Sequence, residues 1–97
     1  KEKILLITDD IRLPSGVGNI GKEIIIHTSH RYNWVNIGAA IGHPEAGKRF
    51  DVSGDTNNIA GIEDSSVMIY PNNGYGDANL LRTIVNIEKP DAIYVDH

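Results

Sequence analysis

Gly16-Val17-Gly18-Asn19-Ile20-Gly21 is a G-x-G-x-x-G run. It follows a strand-like segment and opens a helix-like one, the context in which such a run binds phosphate. The chemistry belongs to the backbone. Glycine lets the chain turn tightly and lets a diphosphate approach the peptide N–H groups, and the N–H groups and dipole of the following helix favour the anion. Ser15, Gly16, Val17 and Gly18 are therefore the candidate diphosphate-binding residues. A plain glycine-rich surface turn fits the same letters. A dinucleotide site also needs an Asp or Glu at the tip of the second strand to hold a ribose. The chain there reads Ala39-Ala40-Ile41-Gly42-His43, and Glu45 lies beyond Pro44. That departure counts against NAD and leaves phosphate binding intact.

Two further segments carry candidate chemistry. Asn72-Asn73-Gly74-Tyr75-Gly76-Asp77 is expected at the carboxyl end of a strand, where open α/β sheets bind ligands. Asn offers donors and acceptors, Tyr75 offers a ring face and a hydroxyl, and Asp77 is equally a helix N-cap. Asp96-His97 closes the last strand-like run. A histidine there could orient or deprotonate a bound hydroxyl, because its ordinary pKa is about 6.5. Asp9-Asp10 suggests a phosphoacceptor pocket, but Tyr70-Pro71-Asn72 lacks the further Asp that chemistry requires. His27, His30 and His43 have no metal-ligand spacing. One of them is expected to be a partly buried structural histidine near Tyr32 or Trp34, and no metal is expected.

The elements that must position these residues read as β-α-β-(excursion)-β-α-β. Lys3–Thr8 is a continuous apolar run, as in a strand covered on both faces. A helix is expected over about Val17–Arg31, with Val17, Ile20, Gly21, Ile24 and Thr28 tracing its inward face. Trp34–Gly38 and Ser66–Tyr70 read as strands. The stretch between His43 and Asp64 reads as a long excursion with at most a short helix. Leu80, Leu81, Ile84, Val85 and Glu88 follow Asp77 at helical spacing, Pro90 stops that helix, and Asp91–Val95 is a fourth strand. Alternation of this kind predicts an α/β fold, with a parallel sheet of about four strands between helices in a Rossmann-like three-layer arrangement.

Bulk properties narrow the function classes. The 97 residues make one small domain, and the net charge of −4, with nine scattered basic residues, argues against nucleic acid or an anionic membrane as partner. There is no cysteine, which excludes thiolate metal sites and cysteine nucleophiles. The longest apolar runs are too short to span a bilayer, and a cytoplasmic location is expected. Because Lys1 is not a methionine and His97 directly follows an apolar run, a piece of a longer protein is expected, incomplete at its C-terminal side.

Lys3–Thr8 with Ser15-Gly-Val-Gly18, then Asn33-Trp-Val-Asn-Ile-Gly38, Ile69-Tyr-Pro-Asn-Asn-Gly-Tyr-Gly76 and Lys89-Pro-Asp-Ala-Ile-Tyr94 together resemble the N-terminal domain of GT-B glycosyltransferases. The likeness is to the group-1, glycogen-synthase-like type, in its phage forms, and it extends over nearly the whole chain. It implies a hexosyltransferase whose donor is a nucleotide-sugar and whose acceptor is a sugar or other hydroxyl compound. On that resemblance Ser15–Gly18 approach the donor diphosphate, Asn73, Gly74, Tyr75 and Asp77 line the acceptor side, and His97 positions the reacting sugar. Asp96 precedes His97 where many relatives carry another residue. The donor-binding C-terminal domain is absent from this chain, no metal or other cofactor is implied, and the fragment alone is expected to be inactive. An NAD(P)-binding oxidoreductase domain and a non-catalytic α/β interaction domain are the alternatives.

Overall fold

The computed structural model describes residues 1–9, 16–39, 48–72 and 78–95, of which 9, 16–20, 39, 72 and 78 are described by their backbone alone. The elements, in order, are β1 (Glu2–Asp9), α1 (Gly16–Thr28), β2 (Tyr32–Ala39), β3 (Phe50–Asp51), α2 (Ser53–Ala60), β4 (Val67–Asn72), α3 (Ala78–Glu88) and β5 (Ala92–Val95). The fold is α/β. Its five strands form one mixed sheet in the order β3-β4-β2-β1-β5.

The expected parallel sheet of four strands needs correction at one edge. β1 pairs in parallel with both β2 and β5, and β2 with β4, but β3 runs antiparallel to β4. The reversal is local. Phe50 opposes Ile69 and Asp51 opposes Met68, and the Asp51 carboxylate then accepts from the Ser53 N–H (2.9 Å), turning the chain into α2. The Ser53 hydroxyl and N–H together hold the Asp51 carboxyl below its ordinary pKa.

Period-two alternation divides the side chains between the two faces of the sheet. Leu6, Trp34, Val67 and Ile69 pack with Ile25 of α1 on one face, joined by Phe50 and Val52. Leu5, Val35, Ile37 and Tyr70 pack with Ile84 of α3 on the other, joined by Leu80, Leu81 and Val85. The result is three layers. The inward stripe of α1 is centred on Gly21, Ile25 and Ser29, all buried, while Ile24 and Thr28 flank it. That is a rotation of the expected face by about one residue, or 100° on a helix.

α2 is anchored by side chains rather than by an apolar stripe. Val67 N–H donates to the Ser53 hydroxyl (2.9 Å), Ser65 N–H to the Asn57 side-chain oxygen (2.9 Å), and the Ser65 hydroxyl to the Ser53 carbonyl (3.0 Å). Gly61 ends the helix in the left-handed region, at φ 72°, where a Cβ would be strained. On the same edge, Trp34 donates its backbone N–H to the Ser66 carbonyl (2.8 Å); its side chain is buried, donates the indole N–H to the Thr28 hydroxyl (2.9 Å) and meets Tyr32 edge-on at 6.2 Å. Thr28→Val keeps the shape and removes that acceptor. We expect it to destabilise the fold by about 1 kcal/mol, measured by urea denaturation; an unchanged midpoint would mean that the bond contributes nothing net.

Candidate functional site

The two long helices run antiparallel to the parallel strands. α1 ends near the start of β1, since Lys1 Nζ reaches the Ser29 carbonyl (3.3 Å), and α3 ends there too, since Lys3 Nζ reaches the Glu88 carboxylate (3.2 Å). Their N-termini, Gly16 and Ala78, therefore lie toward the carboxyl edge of the sheet. That edge also carries the ends of β1 at Asp9, β2 at Ala39, β4 at Asn72 and β5 at Val95.

Topology thus gathers the flanks of all three sequence-derived segments on one edge. Among the flanking strands, β1 and β5 are immediate neighbours, whereas β4 lies beyond β2. At ~4.8 Å between strands, β4 is about 14 Å from β5. Gly16, Val17 and Gly18 form the first turn of α1. Ser15, Asn73, Gly74, Tyr75, Asp77 and His97 lie outside the described residues, as do Asp10, His43 and Asp96.

The first turn of α1 has two physical peculiarities. It contains two glycines, each costing about 1 kcal/mol against alanine in a helix, so helix stability alone does not account for them. It also carries no acidic residue, whereas α2 has Asp55 in its first turn. The N–H groups that an α-helix leaves unbonded at its start therefore meet no acidic side chain of their own turn. Asn36 braces this edge from inside the sheet. Buried on β2, it donates from its amide to the Leu6 carbonyl (3.1 Å) and to the Thr8 hydroxyl (3.0 Å), fixing the last residues of β1.

The chain has no match among protein-family models, curated proteins or solved structures.

The expected structural histidine is not found among the described residues. His27 and His30 are both exposed, and His27 instead meets Glu23 one turn earlier (3.0 Å). Tyr32 and Trp34 pack on each other.

A polar cluster that the sequence reading did not single out lies beneath the end of α3. The Glu88 side chain is only 4% exposed and takes Lys3 Nζ on one oxygen and Arg49 Nε (3.0 Å) and the Tyr70 hydroxyl on the other. Burial by itself would push the Glu88 carboxyl up. Hydrogen bonds from Tyr70, Arg49 and Lys3 outweigh it and hold the group below its ordinary value of 4.5. Burial and the adjacent carboxylate raise the Tyr70 phenol, so it stays protonated as a donor. The signal in the sequence was a carboxylate on the apolar stripe of α3, in line with Leu81, Ile84 and Val85. Its partners, at positions 3, 49 and 70, are too scattered to be paired by spacing.

Between α1 and α2 lies a half-open groove of about 180 Å³, floored by Ile25, Val52 and Ile69 and rimmed by Lys22, Asp55 and Ile59. None of these residues belongs to the carboxyl-edge segments.

Proposed function

We propose that the chain is a Rossmann-like, nucleotide-sugar-binding domain of a glycosyltransferase, with the donor diphosphate held by the N–H groups at the start of α1. The observation that carries this reading is the position of that helix start. It lies at the carboxyl edge of the sheet, next to the junction of β1 and β5.

That junction is a topological switch point. From β1 the chain moves outward through β2 to β4, with α1 and α2 packed on one face. It then returns by α3 across the other face to pair β5 with the free side of β1. Connections that leave in opposite directions open a crevice beyond the strand ends, where ligands of open α/β sheets bind. Backbone N–H groups and the helix dipole suit a diphosphate there. In the parent enzyme the chemistry is transfer of a hexosyl group from the nucleotide diphosphate to an acceptor hydroxyl. Ser15–Gly18 would hold the leaving diphosphate, Asn73, Gly74, Tyr75 and Asp77 would line the acceptor side, and His97 would orient the sugar. The remainder of the donor site would come from a second domain.

A dinucleotide is disfavoured on a specific point. β2 ends at Ala39, where an NAD-binding sheet presents a carboxylate to the ribose.

Amide NMR of the ¹⁵N-labelled chain tests the reading. Titration with UDP-glucose, GDP-mannose, NADH and inorganic pyrophosphate should move the amides of Gly16–Asn19 with both nucleotide-sugars and with pyrophosphate, saturably, and more weakly with NADH. If those amides stay still while others respond, the anion cradle is lost, and the glycosyltransferase assignment with it. Trp34 is a poor reporter for this purpose, because it is buried at the amino end of β2.

A further inference from the structure

The groove between α1 and α2 lies on the α1 face of the sheet. Its floor is part of the core: Ile25 and Ile69 are buried, and Val52 packs against them. The Thr56 hydroxyl also lines it and donates to the Val52 carbonyl (3.0 Å), so it is already bonded. At the rim Ile59 is 59% exposed, which carries the apolar surface outward. Two opposite charges flank this apolar trough, Lys22 from α1 and Asp55 from α2. Among the described residues neither has an ion-pair or hydrogen-bond partner. Glu23, next to Lys22, is engaged by His27 instead (3.0 Å).

We propose that this groove binds a free branched-chain α-amino acid such as leucine, with its side chain on the apolar floor, its carboxylate toward Lys22 and its ammonium toward Asp55. Size, polarity and charge each select this ligand. An apolar cavity of about 150 Å³ holds one benzene ring. A groove of about 180 Å³ therefore admits a branched aliphatic side chain and leaves the α-carbon at its mouth. Mostly apolar walls with a few placed charges are the usual make-up of a small-molecule site. A fatty acid would satisfy Lys22 and set its carboxylate against Asp55, and an alkylamine would do the reverse. A zwitterion answers both charges, and a zwitterion on a compact aliphatic group is an aliphatic amino acid. The inference does not rest on the nucleotide-sugar reading, because no residue of the diphosphate cradle lines the groove.

Leucine titration of the chain with labelled isoleucine methyls, read by NMR, tests this. The methyl signals of Ile25, Ile59 and Ile69 should shift saturably, with a Kd on the order of 1 mM for so small a ligand. Alanine lacks the carbons that cover the floor and should bind at least about tenfold more weakly. N-acetylleucine and leucinamide each lack one charge and should bind about fivefold more weakly. Lys22→Met and Asp55→Asn should each weaken leucine by the same factor. Both side chains are exposed, so both variants keep the fold. Lys22→Met should leave leucinamide binding unchanged, since that ligand has only the ammonium, and Asp55→Asn should leave N-acetylleucine binding unchanged. Methyl signals that stay still at about 10 mM leucine would overturn the proposal. So would N-acetylleucine or leucinamide binding as tightly as leucine, the mark of a peptide terminus, or variants that bind leucine as the native chain does.

Discussion

Replacing Lys3 and Arg49 together by methionine is expected to destabilise the fold by about 3 kcal/mol at pH 7 and to reverse the acid response of Glu88. The magnitude follows from leaving a buried carboxylate without its cations, a loss of about 3–5 kcal/mol when a buried pair is broken. The lower end applies because the Arg49 side chain is 49% and that of Lys3 31% exposed, so water screens both interactions. In the native protein the Glu88 carboxyl is held below 4.5. Its stabilising contribution is complete above the unfolded value and is lost as pH falls through the lower folded value. In the double variant Tyr70 alone opposes the effect of burial. The carboxyl then moves upward, and acidification toward pH 4 relieves the penalty instead of adding to it. Urea denaturation at pH 7, 5.5 and 4 reads both signs. Parallel losses of stability on acidification in the two proteins would show that the cations do not hold Glu88 ionised.

Asn36→Asp is expected to cost about 3 kcal/mol at pH 7, because the change turns a buried donor into a buried anion facing the Leu6 carbonyl and the Thr8 hydroxyl. The carboxylate cannot donate to Leu6, and desolvation drives it toward its protonated form. Below its raised pKa the acid regains a donor, so the variant should recover part of its stability as pH falls. Asn36→Leu, similar in size and unable to titrate, should lose about 1–3 kcal/mol at every pH. Denaturation midpoints across pH 4–8 separate the two variants. Identical pH profiles would mean that the residue at position 36 does not carry the charge in the folded protein. Because Asn36 fixes the last residues of β1, both variants should also broaden the amide signals of Gly16–Asn19.

The main strands were legible from composition: Lys3–Thr8 and Asp91–Val95 hold short apolar runs, Trp34–Gly38 alternates apolar with polar, and each coincides with a strand whose ends differ by one or two residues. Leu80, Leu81, Ile84 and Val85 kept helical spacing and do face the sheet. β3 was not legible, since two residues have no period. α2 was equally obscure: Ser-Gly-Asp-Thr-Asn-Asn is poor helix material, and what holds it is side-chain bonding to residues 65–67, which no local pattern announces. The stripe of α1 was misphased because Ile24, Ile25 and Ile26 are interchangeable by type, and tertiary packing alone selects Ile25. As for the candidate site, the order of segments sufficed to expect them on one edge. The distance between β4 and β5 along that edge required knowing that β5 joins the far side of β1.

The pairing of β1 with β5 joins strands made some ninety residues apart, with Lys3 N–H donating to the Asp91 carboxylate (2.8 Å) and Asp91 N–H to the Lys3 carbonyl (2.7 Å). During synthesis β1 can dock on β2 and then β4, but its other hydrogen-bonding side stays open until residues 92–95 have left the ribosome. A nascent chain of this kind carries an unprotected interior strand until β5 emerges, and a stall within the stretch encoding α3 would release that strand to pair with another molecule.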